Sequence, residues 1–131
     1  MTRSIIPIVS IVGKSETGKT TLIERLIPEL MRRGYRVGTI KHHGHDFDID
    51  HEGKDSWRHQ QAGAQITVLS SPRRVAVLEK VGKDHEIEEL RDKYIGNVDI
   101  VLTEGFKKNL LPKIEVFRAE LTGDILSLIH I

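Results

Sequence analysis

The stretch Gly13-Lys14-Ser15-Glu16-Thr17-Gly18-Lys19-Thr20 fits the phosphate-binding loop pattern G-x-x-x-x-G-K-[ST] at every fixed position. An apolar, β-branched run from residue 5 to residue 12 precedes the loop and is typical of a buried strand. Apolar residues recur at helical spacing from residue 20 to residue 31. This order of strand, loop and helix predicts a nucleotide site. The predicted binding residues are Gly13, Lys14, Ser15, Glu16, Thr17, Gly18, Lys19, Thr20 and Thr21.

The chemistry of this loop follows from its residue types. Gly13 and Gly18 allow backbone angles that a Cβ penalises, so successive amides can turn toward one anion. The N-terminus of the following helix offers further unpaired amides and the positive end of a dipole. We expect Lys19 to reach the β- and γ-phosphates and the Thr20 hydroxyl to ligate Mg²⁺.

Length and composition favour one nucleotide-binding domain over residues 1–131. The formal net charge of +1 gives no sign of a nucleic-acid or membrane-binding face. No run is long enough to span a bilayer, and the first residues do not form a signal peptide. The chain has no cysteine, which excludes disulfides and thiolate zinc sites and suits a cytoplasmic location.

Predicted strands and helices alternate along the chain. Pro28 is expected to bend the first helix or end it early, with Met31 on its apolar side. The alternation predicts an α/β fold, a P-loop NTPase-like three-layer sandwich with a mostly parallel sheet. The short Ser71-Pro72 connection predicts an antiparallel hairpin, which suggests a mixed sheet. The predicted strands cover residues 5–12, 35–40, 65–70, 73–79, 98–103 and 113–117, and the predicted helices cover residues 19–33, 55–62 and 84–94.

A second acidic position follows the apolar strand at 98–103. P-loop proteins need a carboxylate at the carboxyl end of a neighbouring strand, to hold Mg²⁺ directly or through water. Glu104 occupies that end, whereas Asp99 lies at the opposite end and ranks below it. Glu104 is therefore the predicted metal-linked and catalytic acid, and Gly105 is expected to let the backbone pass close to the γ-phosphate.

The polar segment from Lys41 to Glu52 carries four histidines and three alternating aspartates. An EF-hand calcium loop is excluded, because His51 and Trp57 occupy its glycine and final glutamate positions. Three interpretations stay open: a nucleotide-sensing loop in which Asp46 and Asp48 approach Mg²⁺, a transition-metal site, and a solvated loop.

The segment Asp55-Ser56-Trp57-Arg58 opens the next predicted helix, with Asp55 as its N-cap. Arg58 lies one turn on and is a candidate catalytic residue that offsets phosphate charge during reaction. An ordinary surface arginine is the alternative.

Taken together, these segments resemble the MobB-type molybdopterin-guanine dinucleotide biosynthesis adaptor proteins. The likeness covers most of residues 5–118, and its His/Asp and Asp-Ser-x-Arg blocks are more specific than the glycine loop. The blocks that carry the resemblance are residues 13–21, Thr39-Ile40-Lys41-His42-His43, Asp46-Phe47-Asp48-Ile49-Asp50, residues 53–58, Ala62-Gly63-Ala64, residues 103–107 and residues 112–116.

The resemblance implies a cytoplasmic, dimeric P-loop protein that binds GTP with Mg²⁺ and is at most a slow GTPase. It also implies partners: the guanylyltransferase-type enzyme that joins GMP to molybdopterin, and molybdoenzyme targets that receive the finished cofactor.

Two features depart from the family pattern. Lys14 matches the extra lysine of deviant P-loops in partition and nitrogenase-type ATPases, where it reaches a partner's nucleotide. Residues 121–131 match no family block and resemble translated vector sequence, so we expect a truncated C-terminus. An Asn/Thr-Lys-x-Asp guanine motif is absent from the sequence, so GTP is favoured over ATP only by resemblance.

Two other functions fit the same residues. A small-molecule kinase on this fold needs an acceptor pocket and an arginine-bearing lid, for which Arg73-Arg74 are weak candidates. A metal-carrier GTPase would use four histidines of the polar segment. These are His42, His43, His45 and His51.

Overall fold

The structure is a computed structural model, and it describes residues 5–13, 18–44, 54–106, 109–118 and 127–130. The chain divides into two compact units. The first unit comprises Met1–Gly44 with His85–Ile131, and the second comprises His45–Asp84. The prediction of a single domain stays a prediction.

Strands and helices alternate through the described residues as the sequence predicts. The first unit holds β1, α1, β2, α3, β5, β6 and β7, and the second holds α2, β3 and β4. The elements are β1 Ile8–Val12, α1 Lys19–Arg32, β2 Val37–Lys41, α2 Asp55–Gln61, β3 Ile66–Ser70, β4 Val75–Glu79, α3 Ile87–Tyr94, β5 Ile100–Glu104, β6 Lys113–Arg118 and β7 Ser127–His130.

A five-stranded sheet in the order β2-β5-β1-β6-β7 forms the centre of the first unit. Pairing is parallel between β2 and β5, between β5 and β1, and between β1 and β6, and only β7 runs antiparallel to its neighbour. The carboxyl ends of the four parallel strands therefore meet at one edge, where ligands bind in open α/β sheets. The predicted α/β fold with a mostly parallel sheet is confirmed.

Apolar side chains on the two faces of this sheet form two separate cores, because successive residues of a strand point to opposite faces. On one face Ile11, Leu102 and Val116 enclose Ile23 of α1. On the other face Ile8 and Val101 pack with Ile87 of α3. Helix, sheet and helix therefore form the three predicted layers within the first unit.

Helix α1 continues through Pro28 to Arg32, so the expectation of an early end is wrong. A proline inside a helix removes one backbone hydrogen bond. Burial of Ile23 and packing of neighbouring apolar residues along the same face offset that loss. Met31 is 62% exposed, so it does not belong to the apolar side assigned to it. The helix residues that pack against the core beside Ile23 are Leu22, Leu26, Ile27 and Leu30.

The predicted hairpin exists, but it does not belong to the central sheet. Strands β3 and β4 pair antiparallel across the Ser71-Pro72 connection and form a two-stranded sheet of their own in the second unit. The central sheet is mixed for another reason, since β7 pairs antiparallel with β6. No strand was expected at β7, which lies inside the segment suspected to be a non-native tail; that suspicion stays a prediction.

Strands β1 to β5 and helix α3 begin one to three residues later than predicted, and the N-cap of α2 differs as well. Strand β1 begins at Ile8 rather than residue 5, since Pro7 has no amide to contribute to a ladder. Helix α3 begins at Ile87, where Glu86 and Glu89 form a capping box. Asp55 is the first residue of α2 rather than its N-cap, which is Lys54. The carboxylate of Asp55 still favours this end of the helix through the dipole.

Candidate functional site

The start of α1 lies directly after β1, at the carboxyl edge of the central sheet. Gly18 is its N-cap and holds a left-handed conformation with φ 99°, which favours glycine. The first intrahelical bond runs from the Leu22 amide to the Gly18 carbonyl at 2.8 Å. The amides of Lys19, Thr20 and Thr21 therefore precede the helical ladder, and no acidic residue occupies the first turn. This end of the helix suits an anion.

A hydrogen bond joins the two residues assigned to the metal. The Thr20 hydroxyl donates to Glu104 Oε1 at 2.9 Å, between residues 84 positions apart in the chain. Thr20 is exposed and Glu104 is half-buried, so the pair is reachable from solvent. The structure thus brings together the last residue of the glycine loop motif and the acid at the end of β5.

The two oxygens fit a magnesium ion. Mg²⁺ prefers hard oxygen ligands in an octahedron with bonds of 2.0–2.1 Å, which sets neighbouring ligands about 2.9 Å apart. The Thr20 and Glu104 oxygens are separated by 2.9 Å. They therefore have the chemistry and the spacing of two adjacent ligands, with the remaining positions for phosphate oxygens and water.

The strand order explains why Glu104 reaches this position. Strand β5 lies directly between β1 and β2, and Glu104 pairs with Ile11 on one side and Lys41 on the other. Ile11 lies two residues before Gly13, so the acid and the start of the loop share one level of the sheet. Parallel pairing of β5 with β1 therefore brings the two sequence motifs together at one edge of the sheet.

Asp99, the lower-ranked acid, lies at the opposite end of β5 and has a different partner. Its Oδ2 accepts a hydrogen bond from the Arg36 amide at 2.7 Å, and the Arg36 guanidinium lies within 3.4 Å. The amide hydrogen bond, followed by the guanidinium, lowers the pKa of Asp99 below its ordinary value. Asp99 therefore joins β5 to the start of β2 and is separate from the metal-linked pair.

A contact missed in the sequence lies beside Glu104. The His42 amide donates to the Glu104 carbonyl at 2.8 Å, and the His42 ring lies against Phe106 with centroids 4.7 Å apart. Between them Gly105 has φ 99°, and a Cβ there would overlap the His42 carbonyl oxygen. The close approach of the Gly105 backbone to the γ-phosphate stays a prediction. The observed role of Gly105 is to admit the His42 backbone.

Buried hydroxyls support the other face of the same strands. Thr103 and Ser10 are fully buried, and the Thr103 hydroxyl donates to Ser10 Oγ at 3.2 Å. The side-chain amide nitrogen of Asn109, Nδ2, also donates to Ser10 Oγ, at 3.4 Å. The Lys113 ammonium donates to the carbonyls of Asn109 and Leu111. These bonds hold the connection between β5 and β6 against β1. The sequence did not predict these hydrogen bonds, because they depend on the register between β1 and β5.

Several predicted site residues lie outside the described residues. They are Lys14, Ser15, Glu16 and Thr17 of the loop, Asp46 and Asp48 of the proposed sensing segment, and two histidines of the metal-carrier hypothesis, His45 and His51. Arg58 lies exposed on α2 in the second unit, and its catalytic role stays a prediction.

Two features of the described ranges bear on the alternatives. Within them, no group of three or more histidine, aspartate or glutamate side chains is arranged to hold a metal ion. No helix in these ranges is both long enough and apolar enough to cross a membrane.

Comparison with known proteins identifies the family. Residues 8–129 match the sequence profile of the family described as molybdopterin guanine dinucleotide synthesis protein B, or MobB. The chain belongs to this family. It is 43% identical over 118 residues to a molybdopterin-guanine dinucleotide biosynthesis adapter protein of Haemophilus influenzae, covering 89% of this chain and 66% of that relative. It is 39% identical over 122 residues to the adapter protein of Escherichia coli, covering 88% and 68%.

Solved MobB structures share the fold. A crystal structure of molybdopterin-guanine biosynthesis protein B superposes with a TM-score of 0.71 at 36% identity, covering 86% of this chain and 69% of that one. A structure of Bacillus subtilis MobB gives 0.71 at 35% identity, covering 88% and 70%. The chain spans about two thirds of the length of the curated relatives it matches. The family resemblance drawn from the sequence is confirmed.

Proposed function

We propose that this chain is a GTP-binding adapter in molybdopterin guanine dinucleotide biosynthesis, with slow Mg²⁺-dependent hydrolysis of GTP. The observation that carries the proposal is the Thr20–Glu104 hydrogen bond at the start of α1. It brings the last residue of a phosphate-loop motif beside an acid, in the arrangement that a nucleotide with Mg²⁺ needs.

In this proposal, different residues bind the phosphates and the metal. The amides at the start of α1 and the Lys19 ammonium bind the phosphate oxygens. Thr20 and Glu104 would hold Mg²⁺, which would neutralise charge on the phosphates. Glu104 and Arg58 are the candidate catalytic residues, as the sequence predicts.

Relatives named as biosynthesis adapter proteins support the pathway assignment. We infer a cytoplasmic protein that acts beside a guanylyltransferase-type enzyme and delivers to molybdoenzyme targets, as a homodimer. The choice of guanine over adenine rests on the family resemblance alone.

Thermal unfolding with and without nucleotide tests the site. A ligand that binds only the native state at 100 times its Kd adds about 2.7 kcal/mol to the free energy of unfolding. We expect GTP to raise Tm more than ATP does, and Mg²⁺ to enlarge the GTP effect. Lys19→Ala should remove the shift while the far-UV circular dichroism spectrum stays unchanged.

Lys83→Ala is the matched control, because Lys83 is an exposed lysine outside the motif. It should respond to GTP as the wild type does. An equal GTP shift in Lys19→Ala would refute the phosphate site. Transfer of labelled phosphate from GTP to an added pterin or nucleoside, in place of release to water, would favour the kinase alternative.

A further inference from the structure

One residue, His42, contacts three consecutive residues at the end of β5. Its amide donates to the Glu104 carbonyl at 2.8 Å. Its carbonyl carbon would lie 3.3 Å from a Cβ built on Gly105. Its ring packs on Phe106 at 4.7 Å between centroids, with planes 30° apart. His42 therefore touches both the backbone and the side chains that surround the acid.

The backbone contact fixes the end of β5 that carries Glu104. The ladder between β2 and β5 ends with Lys41 opposite Glu104, and the His42 amide adds one bond beyond it. That bond holds the Glu104 carbonyl, so the peptide plane after the acid cannot rotate freely. It also places the Gly105 and Phe106 backbone, which follows the acid, against His42.

The ring contact makes the arrangement rigid. Phe106 packs against the buried cluster of Ile8, Ile87 and Val101, so the core holds the Phe106 ring in place. Aromatic rings in a tilted pair at this separation attract one another beyond their area of contact. Through Phe106, the His42 ring is therefore anchored to the core on the face opposite α1.

We propose that His42 is a positioning residue for the magnesium site, which acts by fixing the Glu104 carboxylate beside the Thr20 hydroxyl. The inference rests on the proposed function, since it needs a nucleotide site that uses Mg²⁺. His42 contacts neither metal nor phosphate in this proposal. Its effect passes through the Glu104 backbone and the ring of Phe106.

The proposal separates two affinities that a purely structural role would change together. The phosphate-binding amides and Lys19 belong to α1, whereas His42 acts only on the acid at the end of β5. Loss of the His42 ring keeps the amide bond to the Glu104 carbonyl and removes the support that reaches the acid through Phe106. We therefore expect this loss to weaken Mg²⁺ binding to the nucleotide complex and to leave Mg²⁺-free nucleotide affinity unchanged. A general loss of folding would lower both.

The experiment titrates Mg²⁺ into the GTP complex and separately titrates GTP in EDTA, by calorimetry on the full chain. We expect His42→Ala to weaken Mg²⁺ binding about three- to tenfold with GTP affinity in EDTA within a factor of two. His42→Phe keeps an aromatic ring on Phe106 and should restore most of the Mg²⁺ affinity. Phe106→Leu should resemble His42→Ala, and the double variant should lose no more than either single change.

Each outcome decides the matter. His59→Ala, a change at an exposed histidine in the second unit, should match the wild type in both titrations. An unchanged Mg²⁺ titration in His42→Ala overturns the inference while leaving the proposed function intact. Failure of wild-type protein to bind GTP refutes the proposed function instead. If His42→Ala does not fold, His42→Phe and Phe106→Leu still provide the comparison, and equal Mg²⁺ affinity in both would also overturn the inference.

Discussion

The two ends of β5 each carry an acid, but their partners differ. Asp99 precedes the strand and faces a cation, because Arg36 supplies both its amide and its guanidinium. Glu104 ends the strand and accepts a hydrogen bond from the neutral Thr20 hydroxyl. The charge of Asp99 is balanced within the protein, whereas the described partner of Glu104 brings no positive charge.

This difference matches the roles that we propose for the two acids. A carboxylate that is paired with an arginine stabilises the connection between strands, and gains little from a metal. A carboxylate that faces a neutral hydroxyl at the carboxyl edge of a parallel sheet suits the Mg²⁺ ion that we propose there. The partner of each acid, rather than its residue type, assigns the role.

Replacing the glycine beside Glu104 should have the largest effect. At Gly105, φ is 99° and a Cβ would overlap the His42 carbonyl oxygen, so alanine brings both backbone strain and a collision with backbone. We expect Gly105→Ala to lower the free energy of unfolding by about 2–4 kcal/mol, as measured by urea denaturation.

Gly96→Ala is the control for that change. No atom lies within 4 Å of a Cβ built there, and Gly96 is not among the residues with positive φ. It should be neutral or stabilise by about 0.4–1 kcal/mol through the unfolded state. Equal effects of the two substitutions would show that the approach of His42 to Gly105 does not constrain this end of β5.

Removing the charge of Glu104 should have the next largest effect, and this effect should be on Mg²⁺ binding rather than on the free energy of unfolding. Glutamine keeps an oxygen that accepts from Thr20, so stability should change by less than about 0.5 kcal/mol. The gain in GTP affinity on adding Mg²⁺ should fall about tenfold, which corresponds to about 1.4 kcal/mol. Isothermal titration calorimetry measures the GTP affinity with and without Mg²⁺.

Glu115→Gln on β6 is the matched control, because Glu115 is an exposed acid on another strand of the same sheet. It should bind GTP with the wild-type dependence on Mg²⁺. If Glu104→Gln did the same, Glu104 would be no different from an ordinary strand-end acid, and the contrast with Asp99 would disappear.

The sequence predicted the functional end of β5 better than its surroundings. A phosphate-loop motif and an acid after an apolar strand are both local patterns, and the carboxyl ends of parallel strands meet at one edge. Thr20 and Glu104 were therefore expected near one another before their hydrogen bond was seen. The apolar and β-branched runs likewise predicted β1 to β6, but not β7.

The partners between distant strands were not predictable in the same way. The contacts of His42 with Phe106, and of Thr103 with Ser10, depend on which strands are neighbours and in which register. A single sequence carries no direct record of that pairing. The separate hairpin sheet was missed for the same reason, since the residues of β3 and β4 predict strands without naming the sheet they join.

Removing the charge of Asp99 should have the smallest effect, and its pH dependence identifies the cause. The Arg36 amide and guanidinium lower the pKa of Asp99, so ionisation favours the folded state. That contribution is complete above the unfolded pKa of about 3.9 and is lost as pH falls through the lower folded pKa. Asp99→Asn should therefore lower Tm slightly and evenly from pH 7 to pH 5, and the gap to wild type should shrink below about pH 4. Because the carboxylate is partly exposed and paired with an exposed arginine, the gap should be smaller than the effect at Gly105. A Tm difference that persists unchanged down to pH 2 would mean that the charge of Asp99 is not what joins β5 to β2.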